Sequence, residues 1–160
     1  MTPDQIAQNI VEGAATRGMT LCAAESCTGG MLAAMITGIA GASQVFDRGF
    51  VTYSNAAKIQ MLGVQPKTLD AFGAVSEQTA AEMAHGAAQS AHADVAVAIT
   101  GIAGPGGSDH KPEGRVCFGL CLRGKIHTQT IEFGAIGRSN VRQAATSHAL
   151  EMLLDAIAGV

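Results

Sequence analysis

Apolar side chains recur three or four positions apart between residues 3 and 17 (Ile6, Ile10, Val11, Ala14). That spacing predicts an amphipathic helix with Pro3 in its first turn and Gly18 at its stop. The short apolar run 20–24 reads as a buried strand, which leads through Glu25-Ser26-Cys27-Thr28-Gly29-Gly30 into a helix from Met31 to about Gly38. After a small-residue loop, the β-branched and aromatic stretch 45–53 predicts a second strand. Ser54 or Asn55 then caps a helix ending at Gly63, and 66–72 forms a further short helix. Helical spacing returns from Ser76 through Ala80, Met83, Ala84 and Ala87, followed by the uninterrupted strand pattern DVAVAIT at 94–100. Five Gly and two Pro between Gly101 and Gly114 enforce a loop. Two strands, 115–122 and 125–133, join tightly at Arg123-Gly124 as an antiparallel hairpin, and an amphipathic helix spans 139–157.

The order α-β-α-β-α-α-β-β-β-α implies right-handed crossovers between parallel strands, with the terminal hairpin making the sheet mixed. The expected fold is a three-layer α/β/α sandwich with a mixed, mostly parallel sheet, formed by one domain over residues 1–160.

Composition narrows the function classes. The chain has 160 residues, 20 of them Gly, with 48% apolar, 14% charged and 4% aromatic side chains. Disordered and highly charged chains are excluded. Lys and Arg total 10 against 13 Asp and Glu, a net charge of −3, so no basic field draws the protein to nucleic acid or an anionic membrane. No apolar run reaches the roughly 20 residues of a membrane span, and the N-terminus does not read as a signal peptide. A cytoplasmic domain is expected, and its four cysteines read as buried free thiols. Cys117 and Cys121 have ligand-like spacing, but four strand residues set them roughly 13 Å apart, too far to share one zinc. The five histidines form no metal pattern, so neither a metal nor a cofactor is expected.

In open α/β sheets, ligands bind beyond the carboxyl ends of strands. Three such junctions here are rich in small polar residues. The first, ESCTGG, puts Ser26 and Thr28 at a helix N-terminus, where unpaired amides suit an oxyanion or a phosphate. A plain capping role for Ser26, with glycines for close packing, fits the same pattern. No P-loop lysine follows, and the nucleophile-elbow spacing is missing. The second junction, TYSNAAK, holds Lys58, the only one of four lysines in a polar strand-to-helix junction. Desolvation would ease its deprotonation, letting it take a proton from a serine with the Tyr53 hydroxyl relaying or orienting it. A solvated lysine fits the pattern as well. The third junction, Thr100 to Ser108, offers only hydroxyls and reads as a binding wall with Gly101 and Gly104. Cys27 could act as a helix-terminal thiolate, but no histidine stands at a motif-like distance.

Four stretches, AESCTGG (24–30), FDRGFVTYSNAAK (46–58), GAVSEQT (73–79) and TGIAGPGG with KPEGRV (100–107, 111–116), occur in order over most of the chain. Together they resemble the CinA C-terminal domain family, whose stand-alone members act as nicotinamide-nucleotide amidases. The N-terminal molybdopterin-binding-like domain of longer CinA proteins has no counterpart among these stretches. The resemblance implies hydrolysis of nicotinamide mononucleotide to nicotinic acid mononucleotide and ammonia, with Ser26 as nucleophile, Lys58 as base and Tyr53 as helper. Backbone amides near Cys27 and Thr28 would hold the oxyanion, with Gly29 and Gly30 as further substrate-binding positions of the same turn. Arg48, Arg142 and the loop from Gly101 to Gly107 are candidates for the substrate phosphate. Asn55 either caps its helix or binds the ligand, and Thr100 lines the site. A homo-oligomer is expected, as dimer or higher. Two other readings share these features: a non-catalytic nucleotide-binding module, and an amidase acting on a different carboxamide.

Overall fold

The computed structural model describes all 160 residues, and the predicted elements lie within one or two residues of the expected bounds. They are α1 (Pro3–Arg17), β1 (Leu21–Glu25), α2 (Met31–Thr37), β2 (Phe46–Val51), α3 (Asn55–Leu62), α4 (Pro66–Phe72), α5 (Glu77–Ala91), β3 (Val95–Gly101), β4 (Arg115–Leu122), β5 (Lys125–Glu132) and α6 (Arg138–Ala158), with a 3-10 turn at Ala42–Gln44. Thr2 opens α1 with a reciprocal capping box to Gln5, and Gly18 closes it in the left-handed conformation.

The five strands lie in the order β2-β1-β3-β4-β5. β1 pairs in parallel with both β2 and β3, whereas β4 runs antiparallel to β3 and to β5. Four strands therefore share one direction and β4 opposes them. Helices α1, α2 and α6 cover one face, and α3, α4 and α5 the other.

Strand alternation makes the two faces unlike. Val95, Val97 and Ile99 of β3, with Leu21 and Ala23 of β1, enter a core of 28 buried residues under α1, α2 and α6. Ala96, Ala98, Cys22 and Ala24 point the other way into a core of 11 residues under α5. Small side chains on that second face let backbone meet backbone. A Cβ on Gly119 of β4 would lie 2.3 Å from the Ala80 carbonyl of α5. One on Gly86 of α5 would lie 1.8 Å from the Leu62 carbonyl of α3. Glycine at 86 thus seats α3, and whatever α3 carries, directly on α5.

The chain leaves β1 toward β2 on one side and leaves β3 toward β4 on the other. Their carboxyl ends, Glu25–Ser26 and Thr100–Gly101, flank the crevice where such sheets bind ligands.

Candidate active site

Ser26 is held at the end of β1 by its amide, which donates to the Ile99 carbonyl (2.9 Å). Beyond it the chain turns sharply through Gly29 and Gly30, both at positive φ (56° and 103°), before entering α2. Ser26 does not cap that helix. The cap is Glu25, whose carboxylate is 1% exposed and reaches back over the turn. Its Oε1 accepts from Thr28 Oγ1 (2.6 Å) and the Leu32 amide (2.9 Å), and its Oε2 accepts from the Ala33 amide (3.1 Å). A buried carboxylate at a helix N-terminus is favoured by the dipole and by these three donors. The anion seat expected at this helix is therefore filled by the protein itself. From the other side, Arg142 Nε donates to the Cys27 carbonyl (2.9 Å) and Nη2 to the Thr28 carbonyl (3.4 Å). Carbonyls engaged in this way turn outward toward α6. The Cys27, Thr28 and Gly30 amides donate to no backbone or side-chain oxygen, whereas those of Gly29 and Met31 close the turn.

Lys58 comes from the second junction. Ser54 caps α3 by accepting from the Ala57 amide (3.0 Å), so Lys58 lies at the end of the first turn, where side chains lean toward the helix start. It is 1% exposed, among the largest fully buried side chains in the molecule. Its Nζ lies 3.0 Å from Ser26 Oγ, 2.8 Å from the Thr52 carbonyl and 3.3 Å from the Tyr53 carbonyl. Burial lowers its pKa from 10.5. Only a Cys27 thiolate would oppose that shift, and burial pushes the Cys27 thiol up to about 11, so near neutral pH it carries no charge. None of the ion pairs in the chain involves Lys58. Three oxygens surround the Nζ, enough for the three N–H donors of an ammonium; on deprotonation the two carbonyls would keep the two remaining hydrogens and the lone pair would face the serine hydroxyl. The hydroxyl of Thr52, whose carbonyl accepts from Lys58, is buried without a hydrogen-bond partner.

Ser26 and Lys58 share a chamber of about 210 Å³ with Cys27, Tyr53, Asn55, Ala74, Val75, Thr100, Gly101, Ala103 and Arg138. Thr100 Oγ1 donates to the Ala74 carbonyl (2.8 Å), fixing the loop before α5 as one wall. Gly101 is needed because a Cβ there would sit 2.7 Å from Val116 Cγ2 and 3.1 Å from Cys27 Sγ.

Several expected site residues take other places. Arg48 lies on the exposed edge strand β2, paired with the adjacent Asp47 carboxylate, and lines neither this chamber nor its neighbour. Edge position and strand alternation carry it away from the carboxyl ends. Arg142 is committed to the turn carbonyls, and the Thr28 hydroxyl to Glu25. The Tyr53 hydroxyl accepts from Arg138 Nη2 (3.0 Å), not from Lys58, which touches only the Tyr53 carbonyl. Gly29 and Gly30 shape the turn and do not line the chamber, while Gly104 lines the neighbouring one. Arg138 and Glu25 were not singled out from sequence. Arg138 sits one residue before the expected start of α6, and Glu25 caps amides seven and eight residues downstream, beyond any local capping pattern.

Fold and cleft define an α/β domain with a small-molecule chamber at the carboxyl edge of its sheet. Residues 3–157 match the family described as CinA C-terminal domain, and the chain belongs to that family. It is 50% identical over 151 residues to the Escherichia coli K12 protein named nicotinamide-nucleotide amidohydrolase PncC, covering 93% of this chain and 91% of that protein. It is also 50% identical to a putative competence-damage inducible protein of Symbiobacterium thermophilum, of whose length it spans 35%. Among solved structures, competence/damage inducible protein CihA of Agrobacterium tumefaciens superposes with a TM-score of 0.93 at 49% identity, over 96% of this chain and 94% of that one. A CinA superfamily protein of Klebsiella pneumoniae superposes with a TM-score of 0.95 at 37% identity, covering 100% of both chains. No helix is long and apolar enough to cross a membrane.

Proposed function

We propose that this chain hydrolyses the carboxamide of nicotinamide mononucleotide, giving nicotinic acid mononucleotide and ammonia, with Ser26 as nucleophile and Lys58 as general base. The likeness to the E. coli amidohydrolase supports the substrate class. One observation carries the mechanism: a fully buried amine without a counter-ion, 3.0 Å from a serine hydroxyl at a sheet's carboxyl end.

In this reading neutral Lys58 takes the Ser26 proton as Oγ bonds to the amide carbon. The oxyanion is met by the amide of Cys27, which lines the chamber, whereas fully buried Thr28 does not reach it; losing such a donor costs roughly a hundredfold or more. Lys58, now an ammonium, gives its proton to the amide nitrogen as the C–N bond breaks and ammonia leaves. Water then attacks the acyl ester, Lys58 again receiving a proton and returning it to Ser26. No carboxylate lines the chamber, which suits an uncharged amide. The exposed Tyr53 ring lines it and offers a π face to the cationic pyridinium. That role replaces the proton relay expected of its hydroxyl.

Purified protein given nicotinamide mononucleotide should release ammonia, and Ser26→Ala should abolish the release while still binding the nucleotide. Wild-type binding without turnover would favour a nucleotide-binding module. Faster turnover of another amide in a panel would reassign the substrate.

A further inference from the structure

Glu25 and Lys58 are the only charged side chains buried in this fold, and the proposed mechanism uses the lysine alone. No ion pair includes Glu25. A buried carboxylate is costly unless its oxygens are bonded, so its presence calls for more than a helix cap. The other helices show how cheaply a cap can be made. Thr2, Ser54 and Ser76 close the starts of α1, α3 and α5 with a hydroxyl placed directly before the helix. At α2 that position is Gly30, which has no side chain to offer, and the cap comes instead from the residue before Ser26.

Residue 25 touches both halves of the Ser26–Lys58 pair. Its carbonyl accepts from the Thr52 amide (2.9 Å), and the Thr52 carbonyl in turn accepts from Lys58. Its Oε1 takes the Thr28 hydroxyl and the Leu32 amide together, which ties the turn after Ser26 to the first residues of α2. The near end of that turn is fixed by the Ser26 amide on the Ile99 carbonyl. Within it the Ser26 carbonyl accepts from the Gly29 amide (3.1 Å). The only cis peptide lies at Gly104-Pro105, so the peptide joining Ser26 to Cys27 is trans, and its N–H points opposite its carbonyl. With the carbonyl held inside the turn, the Cys27 N–H is directed out of it.

We propose that Glu25 is a positioning residue for catalysis: by fastening Thr28 to the start of α2, its carboxylate fixes the turn that aims the Cys27 N–H at the oxyanion. The inference rests on the serine–lysine amidase reading. Because the oxyanion exists only after Ser26 attacks, a loosened turn should reduce kcat and spare KM, whereas a cap that only stabilised α2 would affect neither.

The test compares three variants. Glu25→Gln keeps the shape but turns an NH2 toward the amides the carboxylate served, and Thr28→Val leaves both helix amides capped while untying the turn. Each should lower kcat by about tenfold, with KM within about twofold of wild type. Thr2→Ala removes the cap of α1, away from the chamber, and should lower Tm without changing kcat. If Glu25→Gln does not fold, Thr28→Val carries the comparison. Variants that lose Tm as Thr2→Ala does and keep the wild-type kcat, or whose loss lies in KM, would overturn the assignment. An alkyl fluorophosphonate gives an arm independent of the amide: Ser26 Oγ bonds to phosphorus, fluoride leaves, the hydroxyl proton passes to Lys58, and the phosphoryl oxygen takes the same N–H. Labelling of Ser26 should be slower in Glu25→Gln and Thr28→Val than in wild type. If it is slower in a protein that releases no ammonia from nicotinamide mononucleotide, the amidase reading fails and the role of Glu25 stands. Equal labelling rates in all of them would overturn that role whatever the amide assay shows.

Discussion

Two lysines on opposite sides of one cleft make nearly the same backbone contacts and differ in everything else. Lys58 Nζ donates to the carbonyls of Thr52 and Tyr53, and Lys111 Nζ to those of Phe72 and Val75, at 2.6 Å each. Carbonyl contacts therefore do not make a lysine a base. What separates the two is that Lys58 is sealed on a helix packed against α5, with a serine as third neighbour, while Lys111 stands in a loop in partial contact with solvent. Desolvation lowers the Lys58 pKa, and in the proposed mechanism the serine gives a neutral Lys58 a proton to accept.

Removing the amine should break the contrast most strongly. Lys58→Met should lower kcat by about 10³-fold or more, in the range expected for a lost general base in a coupled pair. It should also erase the rise of kcat/KM with pH that deprotonation of Lys58 imposes on wild type. Stability should move the other way. Because the folded pKa lies below 10.5, the unfolded chain binds the extra proton between the two values. The cost of burying the amine is thus full below the folded pKa and fades as pH rises to 10.5, so Lys58→Met should gain most over wild type in acid. Denaturant titrations across pH would show it.

A subtler break leaves both side chains in place. Gly86→Ala puts a Cβ 1.8 Å from the Leu62 carbonyl and must push α3 off α5. A cost of about 2–3 kcal/mol in urea unfolding is expected. Activity should fall further than stability requires, because Lys58 rides on the displaced helix. Lys111→Met sharpens the comparison from the other side: it unties the loop from the Phe72 and Val75 carbonyls without touching Ser26, so stability should fall by about 1 kcal/mol with kcat held. Least of all, Thr52→Val removes a buried hydroxyl that has no partner and should leave stability unchanged or raise it by up to about 1 kcal/mol.

Much of this architecture could be read from the chain because its signals are local. The run DVAVAIT states a strand buried on both sides, and even the valine–alanine alternation that separates a thick core from a thin one is written there. Ser54 and Gly63 bracket α3 as capping chemistry requires. Ser26 and Lys58 were legible as candidates, since each sits in a polar strand-to-helix junction. Sequence could not separate a catalytic Lys58 from a solvated one, because burial is set by α3 docking on α5 through Gly86, a contact between distant segments. Long range likewise hid Glu25 as the cap of α2 and Arg138 as a wall of the chamber. Arg48 misled because a basic residue near a motif says nothing of which edge of the sheet it occupies.

The most direct measurement is the titration of the Lys58 ammonium itself, followed by NMR on protein carrying isotope-labelled lysine, with Lys58→Met assigning the signal. The account predicts a midpoint below the ordinary lysine value of 10.5, rising toward that value in a variant whose α3 is loosened, such as Gly86→Ala. A Lys58 that titrates at or above 10.5, or that is still fully an ammonium at the pH where the enzyme turns over, would leave Ser26 without a base.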